Sequence, residues 1–365
     1  MATDAFQVVV QHNNYVPALV ADFKACSDPT AQLQYLSVLN TLTTYPRALP
    51  QLLDNGLIEY LLDHVPSWPV SLQADGLELL LVLVYPSEER HALVAMHPTF
   101  NNFVQWQLTH WHRESLHVCI SLFALSTGQR LASLSLAEVT QIHDLVLRVH
   151  GQPESERLLL SLLVRAVTAD ASLSKARLEV LASADFLRCL VGSMRGDDAD
   201  LTYWSLGLLF EMTTRCKLSL FFLLACLQLC DQQRYYMGLP PSCTSFVIVP
   251  DHSSHLPPAA VAKVDLQAMP KLLSAFHHAM NVFEAGVQKV VLRAVGSLCL
   301  RNDAFKHRVL NSDIVQRICS CLNSSDEDLS NWAVVVIHDL CMLGPHACKR
   351  IVEDTGKLGP VFSVS

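Results

Sequence analysis

The chain has 365 residues, of which 51% are apolar and only 16% charged, with 26 Lys and Arg against 34 Asp and Glu for a net charge of −8. That much apolar content excludes a disordered chain, and the acidic balance without a basic run argues against a nucleic-acid partner, which needs clustered Lys and Arg. The length admits two ordinary domains or one repeat array.

The opening MATDAFQVVVQHNN has neither a basic n-region nor an apolar h-region, so no signal peptide is expected. The most apolar stretch, Leu218 to Leu229, is too short to span a bilayer and reads as a core helix. The twelve cysteines fall at irregular positions, and the simple reading is free thiols in a reducing compartment. A soluble, cytoplasmic protein follows.

Asp28 and Pro29 open the first clear helix, with Asp28 as N-cap and Pro29 at the first helical position. The helix, about 29–45, carries Leu33, Leu36, Leu39 and Leu42 as an apolar stripe and stops at Pro46. A short helix then runs to Asp54-Asn55-Gly56, where glycine supplies a positive φ, and a third helix follows in LIEYLLDHV. The stretches 183–194 and 312–322 resemble that third helix, each led by Ser as N-cap. LSNWAVVVIHDLC repeats the first helix near the end, followed by Gly344-Pro345 and a helix stopping at Gly356.

This grammar recurs. Apolar helices end at Leu42, Val84, Leu125, Val167, Met212, Leu298 and Leu340, anchors spaced by 42, 41, 42, 45, 86 and 42 residues. Three residues before each stands another large apolar side chain: Leu39, Leu81, Leu122, Val164, Leu209, Val295 and Ile337. The gap of 86 should hold one more unit, with helices at 218–230 and 266–280. Between them, 231–263 reads as a loop insertion, either disordered or folded back over a groove, with SFVIV at 245–249 able to form a short strand.

A period near 42 with two or three helices per unit resembles the armadillo and HEAT-type repeat superfamily over residues 15–360. The resemblance implies an all-α, armadillo-like right-handed superhelical solenoid of about seven to eight units. It would be one continuous array: an N-terminal part over 1–230, the insertion 231–263, and a C-terminal part over 264–365. The segment SLCLRNDAFKHRVLNSDIVQRICSCLNSSDEDLSNWAVVVIHDL is similar to the ataxin-10 C-terminal domain, whose Trp-Ala pair would be Trp332-Ala333. That block would span 287–356, and the likeness implies an adaptor with cell-division or signalling partners.

In armadillo repeats the positions one and five before the anchor face the concave groove. Here they make an apolar central groove of Leu79, Leu83, Ile120, Ala124, Leu162 and Ala166 with polar or charged ends, among them Ser37, Thr41, Glu211, Arg293 and Asp339. Trp204 and Trp332 both lie eight before their anchors. The Asn and Trp ladder with which nuclear-import receptors of this fold clamp a basic peptide is missing. The groove is expected to take a peptide or an amphipathic helix of a partner protein, unless curvature or the insertion covers it.

No phosphate-binding loop, nucleophile elbow or HExxH motif occurs. Thr109-His110-Trp111-His112 with His117 lacks a Cys or carboxylate at ligand spacing. Cys226 with Cys230 and Cys319 with Cys321 are half sites, and His277-His278 has no carboxylate near in sequence. A Cys/His pair assembled only in space stays open. The expectation is a non-enzymatic scaffold or adaptor with no catalytic residue, cofactor, metal, nucleic acid or membrane insertion. The alternatives are a subunit permanently buried in a larger complex, or an enzyme.

Overall fold

The computed structural model describes residues 15–110, 115–215, 271–300 and 302–356. The expected helix at 218–230, the insertion at 231–263 with its strand, the start of the helix expected at 266–280, Cys226, Cys230, Trp111 and His112 lie outside those residues. Among the described residues every regular element is helical, so the chain is all-α. No described helix is long and apolar enough to cross a membrane. The chain divides into two compact units, Met1–Ser133 and Leu134–Ser365.

The first unit contains α1 (Tyr15–Ala25), α2 (Pro29–Thr43), α3 (Ala48–Asp54), α4 (Leu57–His64), α5 (Val70–Val84), α6 (Glu88–Ala95), α7 (Pro98–His110) and α8 (Leu116–Gly128). Asp28 caps α2, its carboxylate accepting from Ala31 N at 3.1 Å, with Pro29 at the first helical position. Gly56 takes a φ of 63° between α3 and α4, a conformation that penalises a Cβ. Lys24, in the last turn of α1, donates to Asn55 O at 2.6 Å and Gly56 O at 3.0 Å, using its charge to cap the carbonyls of that turn. Helices α2, α5 and α8 pack in succession and carry the anchors Leu42, Val84 and Leu125. The first two anchors are fully buried and Leu125 is half-buried.

The second unit contains α9 (Leu136–Val149), α10 (Pro153–Ala169), α11 (Ala171–Leu181), α12 (Ala184–Ser193) and α13 (Ala199–Arg215). Then come α14 (271–282), α15 (Ala285–Cys299), α16 (Asp303–Leu310), α17 (Ile314–Cys321), α18 (Glu327–Cys341) and α19 (Pro345–Gly356). Ser135 and Glu138 form a reciprocal capping box on α9. Ser183 caps α12 as expected, accepting from Phe186 N at 3.2 Å. The cap expected from Ser312 is corrected: Asp313 holds that place on α17 without a side-chain bond, while Ser312 Oγ turns back to donate to Val309 O.

The anchor helices α10, α13, α15 and α18 stack one on the next. Their contacts join residues at nearly equal distances from their anchors, which requires parallel helices in near register. A Cβ built on Gly207, five before Met212, would lie 3.8 Å from Val164, three before Val167. The hydroxyls of Thr213 and Ser297, one after and one before their anchors, are 3.2 Å apart. A Cβ on Gly296 would come within 3.4 Å of Val336. Helices α13 and α15 touch directly although 86 residues separate their anchors, and most of the further unit expected in that gap lies outside the described residues.

Asp326 ties two rungs of this stack together. It caps α18 by accepting from Leu329 N at 3.1 Å and pairs with Lys289 of α15 at 3.0 Å. The backbone bond, then the lysine, hold its carboxyl below the usual aspartate range despite some burial cost. A depressed folded-state pKa means that this stabilisation is present above the ordinary aspartate value of about 4 and disappears as pH falls through the folded value. Asp326→Ala is therefore expected to lower Tm at pH 7, and the gap from the parent should close on acidification below about pH 4. A gap independent of pH in thermal melts would show that the charge contributes nothing.

Candidate partner-binding face

The exposed strip of each anchor helix decides what a partner would meet. On α2 the expected positions face outward: Ser37 and Thr41, with Asn40 and Thr44, line a shallow depression of about 460 Å³ against Asp75 and Val82 of α5. On the central helices the expectation is overturned. Leu79, Leu83, Ile120 and Ala166 are 0% exposed and Leu162 is 2% exposed, while Ala124 is half-buried. These side chains are core, so no open apolar groove runs along them.

The physical reason is a shift of register. Beyond its first turn, the exposed residues of α5 are Asp75, Glu78 and Val82, nine, six and two before the anchor. On α10 the corresponding positions are also more accessible than the expected ones: Arg165 is exposed and Leu158 and Ser161 are half-buried. One residue of shift rotates a helix by about 100°, enough to exchange an outward stripe for an inward one. Leu79→Glu, Ile120→Glu or Leu162→Glu would bury an uncompensated charge and unfold the chain instead of probing a surface.

The charged and aromatic residues expected at the C-terminal end behave differently, and the structure brings several of them together across α13, α15 and α18. The Arg293 guanidinium lies 4.4 Å from the centre of the Phe210 ring and 5.7 Å from that of Trp332, within reach of both π-faces. All three side chains are half-buried. Beside them Val335, five before its anchor as Arg293 is, is 43% exposed, and Val334 is 53% exposed where the equivalent Leu206 and Leu292 are fully covered. Trp204 is half-buried and meets Tyr203 edge-on at 5.0 Å.

Glu211 and Asp339 stand one before their anchors on α13 and α18, with Ser297 in the same place on α15. Glu211 Oε2 is 2.5 Å from Arg215 Nε, but without the angle of a hydrogen bond. Asp339 Oδ2 and Arg293 Nε are buried and have no hydrogen-bond partner. Buried polar atoms normally find one, so both mark polar groups left unsatisfied beneath this face. Burial first, then the neighbouring Asp339 charge, pushes the Cys299 thiol up to about 12, so this cysteine is a packed neutral group and not a nucleophile.

Phe210 escaped the sequence reading because it lies two before its anchor, outside the positions assigned to the groove. The shifted strip on α5 and α10 is the signal that would have found it.

Other candidates resolve into local structure. His110 stacks on Trp106 at 4.4 Å, with Nδ1 at 2.9 Å from the Trp106 carbonyl oxygen. His278 reaches Gly196 O at 3.3 Å and Asp197 at 4.0 Å, so its carboxylate neighbour comes from far along the chain. Cys319 and Cys321 are buried, and the described cysteines are free thiols.

These features define the class: an all-α chain whose second unit stacks four long helices in parallel and presents one mixed aromatic and charged face. No protein-family model matches the chain, and no curated protein matches it. It is similar to a crystal structure described as an engineered protein, with a TM-score of 0.55 at 15% identity, over 96% of this chain and 85% of that one. Likeness at that identity is likeness of fold alone.

Proposed function

We propose that the protein is a non-enzymatic scaffold or adaptor of the armadillo-like solenoid type, docking a peptide or helix of a partner protein on the α13–α15–α18 face. The observation that carries this reading is Arg293 held between Phe210 and Trp332, with exposed Val335 beside it. Arginine and tryptophan dominate the energetics of protein interfaces, where flat stacking and fixed donors give contact area at small entropic cost. Parallel stacking of helices one period apart supports the solenoid reading, because repeat proteins bind partners along such surfaces. Glu211 and Asp339 favour a basic residue on the partner at the same end.

The test compares capture of partners from a cell lysate by the parent and by Arg293→Glu with Trp332→Ala, both confirmed as folded by circular dichroism. Loss of the captured proteins from the folded variant is the expected result. An unchanged set of partners overturns the assignment of this face. If instead the parent runs only as an insoluble or aggregated species, the permanently buried subunit becomes the better reading.

A further inference from the structure

In the second unit three residues of different chemistry converge away from the docking face. His150 follows α9, Glu156 lies in the first turn of α10, and Cys189 lies on α12. His150 Nδ1 is 3.1 Å from Glu156 Oε1 and 3.2 Å from Cys189 Sγ, and Sγ is 3.4 Å from the same oxygen. Ser193, one turn beyond Cys189, also donates to that oxygen. Gly151 N donates to the other carboxylate oxygen at 3.1 Å. Gly192 leaves room for the imidazole: a Cβ there would stand 3.3 Å from the ring.

Two features set this cluster apart from an ordinary ion pair. Glu156 is 1% exposed and Cys189 3% exposed, whereas the His150 side chain is 45% exposed, so the cluster has a sealed floor and an open mouth. Moreover, the imidazole, the thiol and the Ser193 hydroxyl all lie within hydrogen-bond reach of one oxygen, with the Cys189 carbonyl oxygen as a second acceptor for the hydroxyl at 2.9 Å. A cation placed among the three ligand atoms removes two of those protons and supplies the positive charge that the buried carboxylate needs.

We propose that His150, Glu156 and Cys189 form a binding site for one zinc-type divalent cation, with the fourth position open to water at the exposed edge. Zinc bonds of about 2.0–2.3 Å to N, O and S in a tetrahedron place the ligand atoms about 3.3–3.6 Å apart. The observed separations of 3.1–3.4 Å need only a small expansion. The mixed N, S and O set selects zinc over magnesium or calcium, which take oxygen ligands. On binding, the Cys189 thiol loses its proton to solvent, and so does Nδ1 of a protonated His150. Thiolate and carboxylate then balance the two positive charges. In the cation-free protein, burial and the adjacent Glu156 hold the thiol above its ordinary range, so protons compete with the cation at this site.

The experiment uses the full-length protein, stripped with a chelator and titrated calorimetrically with Zn²⁺, then with Co²⁺ followed by absorption. One Zn²⁺ per chain, proton release in buffers of different ionisation heat, and a thiolate-to-cobalt charge-transfer band are expected. Cys189→Ser should abolish the band and weaken binding at least about tenfold, while Cys341→Ser with Cys348→Ser, remote from the cluster, should leave both unchanged. If Cys189→Ser does not fold, the parent still decides the matter through a rise in Tm with Zn²⁺ that Glu156→Gln loses. No binding by the parent at micromolar Zn²⁺, a cobalt spectrum without a thiolate band, or binding that follows Cys341 and Cys348 overturns the proposal.

Discussion

Replacing Arg177 by Met should destabilise the second unit by about 3 kcal/mol, lowering its Tm by about 6–12 °C. Arg177 is 0% exposed, the largest fully buried side chain described. It lies on α11 and donates to Ala166 O at 2.6 Å and to Leu134 O at 2.7 Å. Ala166 is in the last turn of α10, where carbonyls have no helical donor and a cation interacts well with the helix dipole. Two opposing effects decide the outcome. Removing a buried charge recovers its desolvation cost, which is why hydrophobic replacements of buried ions are sometimes neutral. Here, however, Met leaves two buried carbonyls without their donor, at about 1–3 kcal/mol each, and the second effect wins. Arg177→Lys should fall between, since one ammonium cannot reproduce the fork that reaches two acceptors. Denaturant melts that place Arg177→Met level with the parent would show that water or relaxation satisfies those carbonyls.

The second large effect concerns a methyl group. Gly76 lies inside α5, where alanine would ordinarily stabilise a helix by about 1 kcal/mol. A Cβ there would stand 2.6 Å from Trp68 Cζ3 and 3.0 Å from Val65 Cγ2. The indole is in turn packed edge-on against Phe23 at 6.0 Å. Pushing the ring aside costs about 1–3 kcal/mol, as overpacking does, so Gly76→Ala is expected to be net destabilising by up to about 2 kcal/mol. The same substitution in a Trp68→Phe background should cost less, because the smaller ring vacates the contested space. Equal costs in both backgrounds, measured as a double-mutant cycle, would rule out the indole as the obstacle.

How far the sequence could be read depended on which residues carried a local signal. The seven anchors were legible because helical periodicity is a property of one helix, and α2 shows its first cap at Asp28 as well. Which side of each helix faces a neighbour is set between helices, and there the reading failed at Leu79, Leu83, Ile120, Leu162 and Ala166. On almost wholly apolar helices such as α5, the few charges, Asp75 and Glu78, marked the exposed strip better than any inherited register. At the C-terminal end Arg293, Trp332, Glu211 and Asp339 stand out in the sequence because a charge or an indole breaks an apolar pattern, and of these the structure brings Arg293 and Trp332 together. The cluster of His150, Glu156 and Cys189 was invisible for the opposite reason. Its third ligand is 33 residues from the second along the chain, beyond any linear spacing rule.

Direct packing of α15 on α13 also bears on how such a stack chooses its neighbours. The anchors of these two helices lie 86 residues apart, against 45 and 42 for the other pairs of the second unit, yet Thr213 meets Ser297 as though the two helices were consecutive. The faces of the two helices, and not the length of chain between them, select the neighbour, and each rung's stability then depends on its own fold and on the surface it shares with the next.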